Sequence, residues 1–164
     1  MNSFKCQICG ENHKISKGIE VTQPESILNI PKTEIAKRVK EIQGSYILDD
    51  KIFILNGDIF ICKKEETIPF FNWSVWVSLS LSDFQAQSEK LSKRENVEFS
   101  GQLETNLPFY EKTKGLKVKI FINLDYDYAV VKINEESQIK KDQIEKISTE
   151  RVIELMQKIH HPEN

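Results

Sequence analysis

The chain has 164 residues, 39 % of them hydrophobic and 29 % charged, and a net charge of −2 at pH 7. That length and balance fit one globular domain with its own core, and exclude a disordered tail or a disulfide-dependent miniprotein. So small a net charge offers no global field to hold a polyanion, which argues against broad nucleic-acid binding.

In chain order, Met1-Asn2-Ser3-Phe4-Lys5 lacks the apolar core and small-residue cleavage site of a signal peptide. No later stretch approaches the roughly 18 apolar residues that span a bilayer. The expected location is the cytoplasm, with no membrane partner. Residues 1–16 carry Cys6-Gln7-Ile8-Cys9-Gly10, a metal-type knuckle. Residues 17–30 read as irregular, broken by Gly18 and Pro24. Pro31 suits the first turn of a helix, and Ile35, Val39 and Ile42 recur at helical spacing before Gly44. The pattern predicts a helix over about 31–43.

Lys51 to Leu55 and Asp58 to Cys62 flank Asn56-Gly57, the dipeptide that favours a type I′ turn. The reading is a β-hairpin with Phe53 opposite Phe60. Trp73 to Ser80 alternates, with Trp73, Val75, Val77 and Leu79 on one face and Ser74, Trp76, Ser78 and Ser80 on the other. A polar helix follows over about 83–94, capped by Ser82 or Asp83. Strands are predicted from Val97 to Thr105, from Leu116 to Asn123, and from Tyr126 to Ile133 as the mate of the second. Glu135 to Lys146 is charged and suits a short helix. Ser148 caps a final helix over 148–161, with Val152, Ile153, Met156 and Ile159 on its apolar face. No linker or repeat divides residues 1–164. The expected fold is α+β: a single domain, mainly antiparallel β-sheet, with helices packed at its ends and on one face.

Several of these pieces, in this order, resemble a bacterial family of uncharacterised proteins, domain of unknown function 2199. They are Phe4-Lys5-Cys6-Gln7-Ile8-Cys9-Gly10 with His13, the aromatic strand from Phe71 to Ser80 with Phe84, Gly101-Gln102-Leu103, Leu107-Pro108-Phe109-Tyr110, and a C-terminal helix ending at His160. The resemblance covers nearly the whole chain. This sequence departs from the family pattern in having Ser74 where Trp-Gly-Val-Trp is usual. It also has Asp49-Asp50-Lys51 where a cysteine tends to follow the aspartate. The resemblance implies boundaries for the fold and brings no activity with it.

The chemistry centres on the knuckle. Cys6 and Cys9, with Gly10 supplying positive φ, form a turn whose backbone N–H groups point at the sulfurs. Two thiolates on one turn are half of a tetrahedral zinc site. His13 is the candidate third ligand and His160 the fourth, carried by the last helix back toward the knuckle. A metal held in this way is structural, because four protein ligands leave no open position. The alternatives are a free or redox-active dithiol, two buried apolar cysteines, and for each histidine a solvated or partly buried ring. His161 reads as exposed, and Cys62 as a small core or edge residue.

Asp49, Asp50, Asp58, Asp125 and Asp127 read as solvated turn residues before catalytic ones. Ser74, Ser78 and Ser80 lack a nearby histidine or a nucleophile elbow. There is no Gly-rich phosphate loop. Trp76, placed among serines, is a candidate partner-binding platform. Its alternative is a Trp packed under a helix, as buried Trp residues commonly are. Phe109 and Tyr110 pose the same choice. The leading expectation is a non-enzymatic module that binds a protein partner and carries a structural zinc. The alternative is a zinc-dependent enzyme in which Cys6, Cys9 and one histidine leave an open site beside a carboxylate. A nucleic-acid binder ranks last, since Lys14, Lys17, Lys37 and Arg38 are interleaved with acids.

Overall fold

The computed structural model describes residues 3–14, 18–19, 23–62, 64, 69–123 and 128–161. Two short strands, β1 (Ser3–Lys5) and β2 (Asn12–Lys14), make an antiparallel ribbon that sets Phe4 opposite His13. The segment to the first long strand holds β3 (Gly18–Ile19), α1 (Glu25–Leu28), α2 (Lys32–Arg38), β4 (Val39–Ile42) and β5 (Ser45–Leu48). The main sheet is then built by β6 (Ile52–Cys62), β7 (Pro69–Ser80), β8 (Val97–Leu103), β9 (Lys117–Ile122) and β10 (Ala129–Ile133). Two short helices, α3 (Leu81–Ala86) and α4 (Ser88–Ser92), sit between β7 and β8. The chain ends with α5 (Gln138–Glu145) and α6 (Thr149–His160). Mixed α+β with a dominant, mainly antiparallel sheet is the class the sequence implies.

The pairings β6–β7, β7–β8, β8–β9 and β9–β10 are all antiparallel, and β10 returns to β6 in parallel. They make a closed circuit of five strands. β3 joins β7 in parallel, while β5 and β4 extend the sheet from the first half of β6.

Closure explains the main departure from the sequence reading. Asn56-Gly57 is no turn. It lies inside the eleven-residue strand β6, whose partner is β7, with Phe53 opposite Leu79 and Ile59 opposite Trp73. Asn56 is held flat in the ladder: its Nδ2 donates to the Val75 carbonyl at 3.2 Å, and its Oδ1 accepts from Ser74 Oγ at 3.0 Å. Gly57 permits close approach instead of a bend. A Cβ there would lie 2.8 Å from Val131 Cγ2 and 3.0 Å from the Ala129 carbonyl oxygen, both on β10.

The type I′ geometry occurs elsewhere. The helix predicted over 31–43 stops at Arg38, and Val39 and Ile42 enter β4, which pairs with β5. Between them Gln43 and Gly44 have φ of 49° and 75°. Two consecutive positive φ values are what a two-residue hairpin loop requires. Ile35, Val39 and Ile42 fit helical spacing, but two of the three are spent on a strand. Beyond this hairpin, Arg38 grips Asp49 with two hydrogen bonds of 2.8 Å. That pairing holds the Asp49 carboxyl below its ordinary value and makes Asp49 a tied turn residue. The polar helix predicted over 83–94 is split into α3 and α4, with Ser80 as the N-cap of α3.

The main core lies on one face of the circuit. Trp73, Val75, Val77 and Leu79 of β7 point into it with Ile120, Val131, Ile139, Leu155 and Met156. A smaller core on the opposite face gathers Ile27, Ile30, Leu48, Ile54 and Trp76. Ser137 and Ser148 cap α5 and α6, each accepting from the N–H three residues on. Asp142 of α5 is 5 % exposed and fully engaged. It accepts from Tyr110 Oη at 2.8 Å, Gln138 Nε2 at 2.8 Å and Arg151 Nε at 3.2 Å. One carboxylate thus joins the loop after β8 to both C-terminal helices. Among the described residues no helix is long and apolar enough to cross a membrane.

Gly57→Ala is expected to destabilise the protein by roughly 1–3 kcal/mol through overpacking against β10. Denaturant titration reads this as a lowered midpoint with an unchanged slope. Because the clash is with Val131, the double variant Gly57→Ala/Val131→Ala should be more stable than the two single losses added together. Strict additivity would show that the glycine serves some other purpose. Asp142→Ala removes the acceptor of the buried Tyr110 hydroxyl and one of the two carboxylates on Arg151, which keeps Glu154, and should cost about 1–3 kcal/mol in the same measurement.

Candidate metal centre

The knuckle begins as β1 ends. Cys6 N donates to the Glu11 carbonyl at 2.8 Å, and Gly10 N donates to the Cys6 carbonyl at 3.0 Å, closing a tight loop. Gly10 has φ of 78°, and a Cβ there would meet nothing within 4 Å. The glycine is needed for its backbone angle and not for space. Ile8 N–H points at Cys6 Sγ from 3.4 Å. Cys6 is 1 % exposed and belongs to the main core, whereas Cys9 is exposed. Burial pushes the Cys6 thiol up, but the backbone N–H groups of Cys9 and Ile8 and the Cys9 side chain outweigh it, and the net shift is downward. The turn is therefore built to favour a thiolate.

The ribbon register brings His13 back over the knuckle. His13 Nε2 lies 3.1 Å from Cys9 Sγ. From the other end of the chain, α6 delivers two histidines, and they take different positions. His160, the last helical residue, is exposed; its ring stacks on His13 at 4.4 Å between centroids, and its Nε2 lies 3.4 Å from the Lys14 carbonyl oxygen. His161 comes edge-on to His13 at 5.5 Å. Donor atoms of Cys6, Cys9, His13 and His161 all lie within 4.8 Å of one another.

The fourth member of this set is thus His161, where the sequence reading put His160. The reason lies in the helix end. His161 is the C-cap, with φ −135° and ψ 70°, so its side chain leaves the helical direction that His160 still follows. A signal for this was present, because Pro162 comes next in the sequence, and a residue before proline is steered out of the helical region.

The donor set suits a metal. Tetrahedral zinc, with Zn–S of about 2.3 Å and Zn–N of about 2.0 Å, separates its ligand atoms by roughly 3.3–3.8 Å. Here Cys9 Sγ and His13 Nε2 are 3.1 Å apart and no two of the four donor atoms are more than 4.8 Å apart, close enough for one ion to gather them. His161 Nε2 is buried and has no hydrogen-bond partner. A buried imidazole nitrogen left in that state is costly unless something binds its lone pair or its proton. Two sulfurs and two nitrogens gathered in this way make a donor set that could hold a metal ion. Thiolate charge and neutral imidazoles would hold the ion, and the ion would tie the chain ends together.

The other candidates fall elsewhere. Trp76 is 7 % exposed and packs in the smaller core against Ile27 of α1, its ring 5.4 Å from that of Tyr46. It is a Trp under a helix and presents no platform. Tyr110 is 8 % exposed, edge-on to Trp73, and bonded to Asp142, while Phe109 is half-buried against the main core. Neither offers an open aromatic surface, because the loop after β8 folds inward over the core. Burial, with Asp142 beside it, pushes the Tyr110 hydroxyl well above its ordinary value, so it serves as a donor. Cys62 is half-buried at the end of β6. Asp58 is half-buried where β10 meets β6 and accepts from Asn72 Nδ2 at 2.7 Å; burial pushes its carboxyl up. Asp125 and Asp127 lie outside the described residues.

No curated protein and no solved structure matches the chain. A family model matches residues 5–144, which include Cys6, Cys9 and His13 and stop short of α6 and His161. That match covers most of the chain, and the protein belongs to the family described as an uncharacterized protein conserved in bacteria, DUF2199.

Proposed function

We propose that this protein is a non-enzymatic module for binding a protein partner, and that one structural zinc ion held by Cys6, Cys9, His13 and His161 locks its two chain ends together. The observation that carries the metal reading is convergence. Two sulfurs from the first ten residues meet a nitrogen of a residue 155 positions after Cys6 within 4.8 Å. The partly buried His161 ring, with its unpartnered Nε2, supports the same reading.

Four protein donors complete a tetrahedral shell, so the ion would have no position for water or substrate. This supports a structural role over a catalytic one. The low net charge supports a partner other than a polyanion.

Elemental analysis of protein purified without added metal should find about one zinc per chain. Cys9→Ser and His161→Ala should each lose most of it, while His160→Ala should keep it. Cys9 is chosen because it is exposed, so its replacement does not disturb the core. Full zinc in His161→Ala together with loss in His160→Ala would reverse the assignment. Zinc retained in Cys9→Ser would end it.

Removing the metal with a chelator should lower Tm by roughly 5–15 °C without unfolding the chain at room temperature. Differential scanning calorimetry with and without zinc decides this. For the partner, affinity capture with zinc-loaded protein should recover a protein that binds again when both components are pure. A bound water on the zinc by X-ray absorption, together with no reconstitutable partner, would favour the enzyme reading.

A further inference from the structure

β9 and β10 each turn one face to the main core and the other away from it. Val118 and Ile120, with Ala129, Val131 and Ile133, point inward. Lys119 and Phe121, with Val130 and Lys132, therefore occupy the other face. In the antiparallel register Lys119 stands directly opposite Lys132, and Phe121 opposite Val130. Like charges directly opposite one another on a sheet face destabilise the pairing.

α5 adds a third cation. Lys119, Lys132 and Lys140 line a cavity of about 470 Å³ together with Phe60, Phe121 and Ile144. Among the described residues no acidic one lines it. Glu98 pairs with Lys119 at 2.7 Å and Glu136 with Lys140, both from outside the lining. No carboxylate among the described residues pairs with Lys132, whose ammonium sits 4.8 Å from the Phe121 ring centroid. The cavity wall is continued by Tyr128, edge-on to Phe60 at 5.3 Å and 43 % exposed. Ile144 is 64 % exposed at its edge. Gln143 fixes the width: its Nε2 donates to the Val131 carbonyl at 2.8 Å, and its Oε1 accepts from Ile133 N–H at 3.0 Å. α5 is thereby bolted to β10.

We propose that this face binds a small amphipathic anion, a carboxylate or phosphate head group carried on an apolar body. The volume is that of a small-molecule site. Lys119 and Lys140 are each balanced by a glutamate outside the lining, so the Lys132 ammonium is the positive charge that the cavity leaves uncompensated among the described residues. An anion placed between Lys119 and Lys132 gives Lys132 the opposite charge it lacks, while Lys119, held by Glu98, stands beside it as a second donor. Phe60, Phe121 and Ile144 cover the apolar body. A lysine ammonium is a compact point charge and accepts either head group. Acyl chains with a carboxylate and nucleoside monophosphates both carry this chemistry.

Isotope-labelled protein titrated separately with decanoate and with adenosine monophosphate, followed by amide NMR shifts, tests it. At least one ligand should produce saturable shifts in β9, β10 and α5, weaker at high salt. Lys132→Glu should weaken binding roughly tenfold or more, and Lys132→Gln less, whereas Lys93→Glu, outside the cavity, should change nothing. Lys132 is exposed, so both variants keep the fold, which circular dichroism checks. Saturation by decanoate alone assigns an acyl carboxylate, and by the nucleotide alone an aromatic phosphate. Saturation by both shows that the head group dominates. The proposal is overturned if neither ligand shifts these residues at millimolar concentration, or if Lys132→Glu binds as the parent does.

Discussion

The structure depends on two strands approaching the same edge of β6. The first half of that edge is taken by β5, where Tyr46 to Leu48 face Ile54 to Ile52. The second half is taken by β10, with Val130 opposite Asp58. The changeover comes at Gly57, the position where a side chain would collide with Val131 and the Ala129 backbone. Without that approach the circuit opens, and β6 and β10 each present an unpaired edge. With it, the inward side chains of five strands form one apolar mass. Ile139, Ile147, Val152, Leu155 and Met156 then follow, because the segments carrying them have an apolar surface to cover. The position of α6, and so of the histidines at its end, is a consequence of a missing methyl group on β6.

The sequence was legible where the signal was local and periodic. The alternation of β7, the pairing of β9 with β10 and the serine cap of α6 all depend on neighbours within a few residues. It misled at two glycines: Gly57, which a distant strand approaches, and Gly44, which turns a local hairpin. Asn56-Gly57 and Gln43-Gly44 are each an amide side chain followed by glycine. One lies flat in a ladder beside a strand more than seventy residues later, and the other makes the hairpin turn. Nothing within ten residues distinguishes them. Ile35, Val39 and Ile42 misled for a related reason, since a three-point helical spacing is met by chance in a strand and β-branched residues favour the strand. In the site, Cys6, Cys9 and His13 were readable because one turn and one ribbon hold all three. His161 depends on which way a chain leaves a helix. The three lysines of the cavity come from two strands and a helix, so their like charge vanishes in a sequence where acids alternate with bases.

The knuckle is half structure and half site. Phe4 and Cys6 are already part of the main core, 5 % and 1 % exposed. Burying Phe4 alone contributes on the order of 2–3 kcal/mol. The ribbon is thus docked by apolar contact before any ion is considered. This separates the protein from small zinc modules, in which metal binding supplies nearly all the folding free energy. Here the ion would act on what the apolar contacts leave loose: an exposed Cys9, two half-buried imidazoles and a helix end. The stacking of His160 on His13 works in the same direction, because it fixes the plane of a donor ring.

A metal enclosed by four protein donors has no chemistry to offer a ligand, and this bears on where activity can reside. Such an ion would hold the frame, and on the reading proposed here recognition would fall to a surface that the frame exposes. Trp76 and Tyr110, the large aromatics that might have served, are turned inward and used for packing. The face of β9 and β10 is different in kind. It sets two lysines across from each other, only one of them balanced by a glutamate, and places aromatic rings beside them. The Lys132 ammonium, with no carboxylate paired to it among the described residues, would gain an opposite charge when an anion binds beside these rings. On that proposal this face, and not the Cys–His cluster, is where the molecule would meet a ligand.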